Sequence, residues 1–173
     1  FDNGKVSYSS NATVEGKIIN EFSVIESDNS FKVVTNVTAA KNKYADIFTF
    51  DTNLTPLGSI SNVSDGKVVN AVRFDGKYAY LSADNAEKAI AINLSDNAAP
   101  KKEDKNVSNF SVYLNKYSEN KCVGLGAEYD EKGNQTGIKL SMYENSDGGF
   151  KELSSISLGG KFSDKLLGSV VDS

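Results

Sequence analysis

The feature that most constrains this chain is a strand-length alternation that recurs along it, interrupted by tight-turn signals. The segments Lys77-Tyr78-Ala79-Tyr80-Leu81-Ser82, Ala89-Ile90-Ala91-Ile92-Asn93-Leu94 and Gly137-Ile138-Lys139-Leu140-Ser141-Met142-Tyr143 alternate with period 2. That spacing sends successive side chains to opposite faces of a β-strand. Two further segments, Phe31-Lys32-Val33-Val34-Thr35-Asn36-Val37 and Asp46-Ile47-Phe48-Thr49-Phe50, are rich in the β-branched and aromatic residues that suit a pleated surface. Turn signals fall at Ser64-Asp65-Gly66-Lys67, Phe74-Asp75-Gly76-Lys77, Glu131-Lys132-Gly133-Asn134 and Ser146-Asp147-Gly148-Gly149. Gly, Asp and Asn supply the positive φ and the local hydrogen bonds that hairpin turns need. One stretch, Asp84-Asn85-Ala86-Glu87-Lys88-Ala89, carries a helix-capping pattern. The Ile90/Ile92/Leu94 alternation follows it at once, so a hairpin loop is expected there instead.

The strands group into three similar units, about residues 20–62, 70–106 and 109–158. Each reads as a strand, a turn, a strand, a variable hairpin loop, a strand, and a turn containing Asp. The third strands end alike, at Phe50-Asp51-Thr52-Asn53-Leu54-Thr55-Pro56-Leu57, Asn93-Leu94-Ser95-Asp96-Asn97-Ala98-Ala99-Pro100 and Tyr143-Glu144-Asn145-Ser146-Asp147-Gly148-Gly149-Phe150. From Val24 to Val72 to Val112 the offsets are 48 and 40 residues, close to the length of a four-stranded propeller blade. The expected fold is therefore all-β: antiparallel meander blades in a partial or open β-propeller of about three blades, forming a single domain or fragment over residues 1–173. Three units are too few to close a ring of four to eight blades. The expectation is a fragment, a module that closes on another copy, or an open array.

Composition narrows the chemistry. The net charge is −4, with 23 acidic groups against 19 basic ones, of which Arg73 is the single arginine. A nucleic-acid partner calls for a clustered basic face, and none is visible. The chain contains no His, the residue most used as general base, nucleophile activator and metal ligand. Its one cysteine, Cys122, cannot form an internal disulfide or a Cys-rich zinc site, and its strand-like setting suggests a small buried hydrophobe. No apolar run is long enough for a membrane-spanning helix. The chain opens Phe1-Asp2-Asn3-Gly4 without a Met, so any export signal or anchor is expected upstream.

Candidate catalytic and ligand-holding groups are few. Acidic residues bunch at Glu128-Tyr129-Asp130-Glu131 and at Ser82-Ala83-Asp84-Asn85-Ala86-Glu87. A carboxylate pair is the apparatus of glycoside hydrolysis and a source of calcium ligands, but neither stretch has calcium-loop spacing, and solvated hairpin tips are expected. Serine chemistry lacks both a Gly-x-Ser-x-Gly elbow and a His. Gly124-Leu125-Gly126 lacks the third glycine and the helix of a dinucleotide site, so it reads as a strand. Asn-x-Ser/Thr triplets at Asn11, Asn36, Asn53, Asn62, Asn93, Asn106 and Asn134 read as exposed turns. Of the tyrosines Tyr78, Tyr80, Tyr113, Tyr117, Tyr129 and Tyr143, Tyr78 and Tyr80 share a strand face. Inter-blade core is the expected place for these rings, and any binding is expected on loops at the rims. No catalytic, cofactor or metal residue is assigned.

The run Val14-Glu15-Gly16-Lys17-Ile18-Ile19-Asn20-Glu21-Phe22-Ser23 with Phe31-Lys32-Val33-Val34-Thr35 resembles bacterial secreted proteins with a C-terminal β-propeller domain distantly related to WD40 repeats. The resemblance continues through Ile47 to Leu57, Val72-Arg73-Phe74, Ile92-Asn93-Leu94-Ser95-Asp96 and Gly137-Ile138-Lys139-Leu140-Ser141. It implies an extracellular or cell-surface, non-enzymatic scaffold whose loops meet a protein or glycan ligand. The alternatives are a non-catalytic portion of a larger secreted enzyme and a structural module that forms a homodimer through its blade edges.

Overall fold

The computed structural model describes residues 4, 8–84, 86, 88–105, 107, 113–118, 120–130, 135–146 and 149–160. Their strands form three antiparallel sheets, each a meander in chain order. The first holds β1 (Lys17–Ile18), β2 (Val24–Ser27), β3 (Ser30–Ala39), β4 (Asn42–Asp51) and β5 (Pro56–Ile60). The second holds β6 (Val69–Asp75), β7 (Tyr78–Ala83), β8 (Ile90–Asn93) and β9 (Lys101–Glu103). The third holds β10 (Tyr113–Lys116), β11 (Lys121–Tyr129), β12 (Gln135–Ser146) and β13 (Gly149–Gly159). These are the three expected blades. No α-helix occurs among the described residues, and β7 is followed in the chain by its antiparallel partner β8; Asn85 and Glu87 of the helix-capping pattern lie outside the described residues.

Two expectations change in detail. The first strand of blade one is interrupted: β1 and β2 both pair with β3, and Glu21–Ser23 between them form a 3-10 turn. The cause is local, because the Asn20 side chain accepts from the Phe22 amide at 3.1 Å while Ser23 Oγ accepts from the Asn20 amide at 3.2 Å. This reciprocal cap competes with the sheet ladder. Second, Ser64-Asp65-Gly66-Lys67 does form a turn, with Asp65 and Gly66 at φ 51° and 81°, but it lies in the connection from blade one to blade two and closes no hairpin. The true two-residue hairpin turns include Asp28-Asn29, at φ 52° and 53°, the signature of a type I′ turn.

Blade two is buried on both faces, and period-2 alternation is what divides its side chains. Val72, Ala79, Leu81 and Ile92 pack against Val34, Ala45 and Ile47 of blade one. On the opposite face Ala71, Tyr80 and Ala91 pack against Cys122 and Tyr143 of blade three. A register shift between Val69 and Ala71 returns Val69 to the blade-one side. Leu81 and Ile92 are fully buried, each worth about 1.5–3 kcal/mol. The 3-10 turn of blade one lies against β6, and β6 lies against β10. The leading segments of successive blades therefore adjoin, as they do around a propeller hub.

Polar contacts fix how blade one meets blade two. The Asn36 amide donates to the Val69 carbonyl at 2.7 Å and accepts from the Val69 amide at 3.0 Å. Near the other end of the blade, Thr49 Oγ1 donates to the Asn97 carbonyl at 2.5 Å, and Asn97 Nδ2 donates to Ser30 Oγ at 3.1 Å. Gly58 sits beneath this turn so closely that a Cβ there would lie 2.6 Å from the Asn97 oxygen. Blade one thus grips the turn between β8 and β9 through the Thr49 and Ser30 side chains and the close approach of Gly58.

Candidate binding surface

In a meander the connections alternate between two rims. The turns β2–β3, β4–β5, β6–β7 and β8–β9 therefore share one rim of the array, and several are locked by their own side chains. Asp51 accepts from the Asn53 and Thr55 amides, both at 2.8 Å, and these bonds hold its carboxyl below its ordinary pKa. Asn93 accepts from the Ser95 amide and Asp96 from the Ala98 amide, both at 2.9 Å. Asx turns of this kind cost little entropy to present.

Beside these turns the sheet register assembles a polar and aromatic patch. Asp75, Tyr78, Asn93 and Lys101 are successive cross-strand partners, and Arg73, Tyr80, Ala91 and Glu103 form the adjoining row on the same face. Tyr78 Oη donates to Glu103 at 3.2 Å, and Asn93 Nδ2 donates to its other carboxylate oxygen at 2.6 Å. The Asn93 bond is the main reason the Glu103 carboxyl lies below its ordinary pKa. The Lys105 ammonium lies 4.2 Å from the centre of the Tyr78 ring and that of Lys77 lies 5.6 Å from it, an electrostatic attraction to the ring face. Tyr78 stacks on Tyr80 at 5.8 Å. Burial, reinforced by Asp75, pushes the Tyr80 hydroxyl up to about 12. Arg73 is half-buried on the same face, and its Nε has no hydrogen-bond partner among the described residues. Tyr80 and Ala91 of this face are buried against blade three, so what the patch leaves toward the rim is the half-buried Tyr78, Asn93 and Glu103 with the exposed Lys101.

The acidic stretches noted in the sequence fall elsewhere. Asp84 accepts from the Asn70 side chain at 2.6 Å on blade two, and Glu128 accepts from Ser157 Oγ at 2.7 Å on blade three. Asp130 is exposed, while Glu87 and Glu131 lie outside the described residues. Among the described residues no three His, Cys, Asp or Glu side chains converge as metal ligands would. Gly124 and Gly126 lie within β11, opposite Ser141 and Lys139. Cys122 and Tyr143 are buried between blades, Tyr78 and Tyr80 join them there, and Tyr117 is exposed. Asn11, Asn53 and Asn62 are exposed as expected, but Asn36 is not a turn residue. It lies half-buried within β3 and joins two blades, and Asn93 ends β8. Asn106 and Asn134 lie outside the described residues. Sequence reading missed Glu103, Lys105 and Asn97. Their only signal was polar residues next to strand ends, which turns also show.

Three face-to-face antiparallel meanders, one of five strands and two of four, with adjoining leading segments define a section of a β-propeller. The chain matches the model of the beta propeller domain family over residues 1–166 and belongs to that family. It is 30% identical over 137 residues to an uncharacterized protein of Archaeoglobus fulgidus and 26% identical over 139 residues to another of Methanocaldococcus jannaschii. Each match covers 78% of this chain but only 21% and 22% of those proteins, so the chain spans about a fifth of the relatives' length. Among solved structures it is similar to the catalytic domain of a Coprinopsis cinerea GH62 alpha-L-arabinofuranosidase. That likeness has a TM-score of 0.44 and 12% identity, covers 90% of this chain and 54% of that one, and carries no argument about activity.

Proposed function

We propose that this chain is a non-enzymatic, extracellular propeller scaffold that presents its rim turns and the adjoining Tyr78–Glu103 patch to a protein or glycan ligand at a cell surface. The observation that carries this reading is the locking of the β4–β5 and β8–β9 turns by Asp51, Asn93 and Asp96. Loops held in one conformation on a rigid sheet lose little entropy on binding. The resemblance to bacterial secreted proteins supports export, and the archaeal relatives carry the matched region beyond bacteria.

The test is binding of the labelled chain to glycan and peptide arrays, beside a variant carrying Thr52→Ala, Asn53→Ala and Lys77→Ala on this rim. Saturable binding by the parent and its loss in the variant, with an unchanged melting temperature, is the expected outcome. Equal binding by both would remove the rim from the proposal, and hydrolysis of glycan probes would overturn its non-enzymatic part.

A further inference from the structure

The interface between blades one and two mates two unlike rows of side chains. Blade one contributes the cross-strand row Val34–Ile47–Ile60, and blade two contributes Val72–Leu81–Ile90. The two outermost faces of the array carry one further row of each kind. On the outer face of blade one, Val24, Val33 and Phe48 stand at the sheet positions that Val72, Leu81 and Ile90 occupy in blade two. On the outer face of blade three, Leu125, Leu140 and Ile156 form a row turned away from blade two, as Val34–Ile47–Ile60 is turned away from the outer side of blade one. In the blade-three row Leu140 and Ile156 are 37% and 65% exposed, and in the blade-one row Val24 is 38% exposed; apolar rows left this open call for a covering surface.

We propose that a second copy of this chain covers these faces head to tail, the Leu125–Leu140–Ile156 row of each copy docking on the Val24–Val33–Phe48 row of the other. The arrangement continues an interface that the chain already contains, and it pairs unlike rows as that interface does. Two copies bring three blades each, and six falls within the four to eight that close a ring. Pairing through two unlike faces is a heterologous contact, which ends growth only when the ring closes. Contact is through blade faces, and the strand edges stay outside it.

Light scattering on a sizing column over a wide concentration range reads the outcome directly. The expected mass is twice 18.6 kDa. Val24→Glu and Ile156→Glu, both at exposed positions, are each expected to halve the mass while leaving the circular dichroism unchanged. An equimolar mixture of the two variants is expected to regain a two-chain species, because one copy keeps its blade-one row and the other its blade-three row. A monomeric parent at every concentration would overturn the proposal and assign the faces to further blades of a longer polypeptide. A Val24→Glu variant that stays dimeric would overturn it in favour of pairing between like faces.

Discussion

Replacing Gly58 by alanine tests the grip between blades one and two. The new Cβ would stand 2.6 Å from the Asn97 oxygen and 2.8 Å from the Ala98 oxygen, against the 3.4 Å at which ordinary contact begins. Both obstacles are main chain, so rotamer changes cannot relieve them, and the turn between β8 and β9 must move away. That movement breaks the Thr49–Asn97 and Asn97–Ser30 hydrogen bonds, worth about 1 kcal/mol each, and adds overpacking strain of about 1–3 kcal/mol. Alanine in a strand returns roughly 0.5–1 kcal/mol relative to glycine. The expected net loss is about 3 kcal/mol, or roughly 6–12 °C in melting temperature for a chain of this size. Urea and thermal unfolding followed by circular dichroism measure it. A double-mutant cycle with Thr49→Val sharpens the test, because a turn already displaced has no bond left for Thr49 to lose. A cost under about 0.5 kcal/mol, or strict additivity of the two substitutions, would refute the reasoning.

Asn36→Ala removes both bonds to the Val69 main chain and is expected to cost about 2 kcal/mol in urea unfolding; a neutral result would mean that water replaces the amide. Tyr80 and Tyr143, both pushed up to about 12 chiefly by burial, keep their protons in the folded chain where the unfolded chain releases them near pH 10. The unfolded state then binds fewer protons, so stability is fully present below about pH 10 and falls as pH rises toward about 12. Urea midpoints across that range, with Tyr80→Phe as comparison, should show the slope and its reduction. Cys122 is buried between blades, so its reaction with a bulky thiol reagent is expected to await unfolding; rapid labelling of the native chain would contradict its placement.

Period and turn chemistry are local properties, and local properties were legible. The alternation in Lys77–Ser82 and Ala89–Leu94, with Gly76 between Asp75 and Lys77, marked the strands and hairpins of blade two before any contact was known. The repeat spacing showed how many blades there are. The same period also placed Tyr78 and Tyr80 on one face and Leu81 on the other, since a strand has only two faces to offer.

What sequence could not supply was the partner of each face. Asn36 and Asn53 both sit in Asn-x-Thr triplets, yet Asn36 ties β3 to Val69 across the blade boundary while Asn53 lies in an exposed turn. Nothing within a few residues of either distinguishes them, because Val69 is remote in sequence and near only after the blades stack. Glu103 likewise joins Tyr78 and Asn93 only through the register of β7, β8 and β9. The alternation of apolar residues determined by itself that the chain builds two-sided blades. Tertiary packing alone decided which side meets which blade, where polar groups bridge the seam, and that two apolar rows are left facing outward, because those outcomes depend on contacts between residues far apart in the chain.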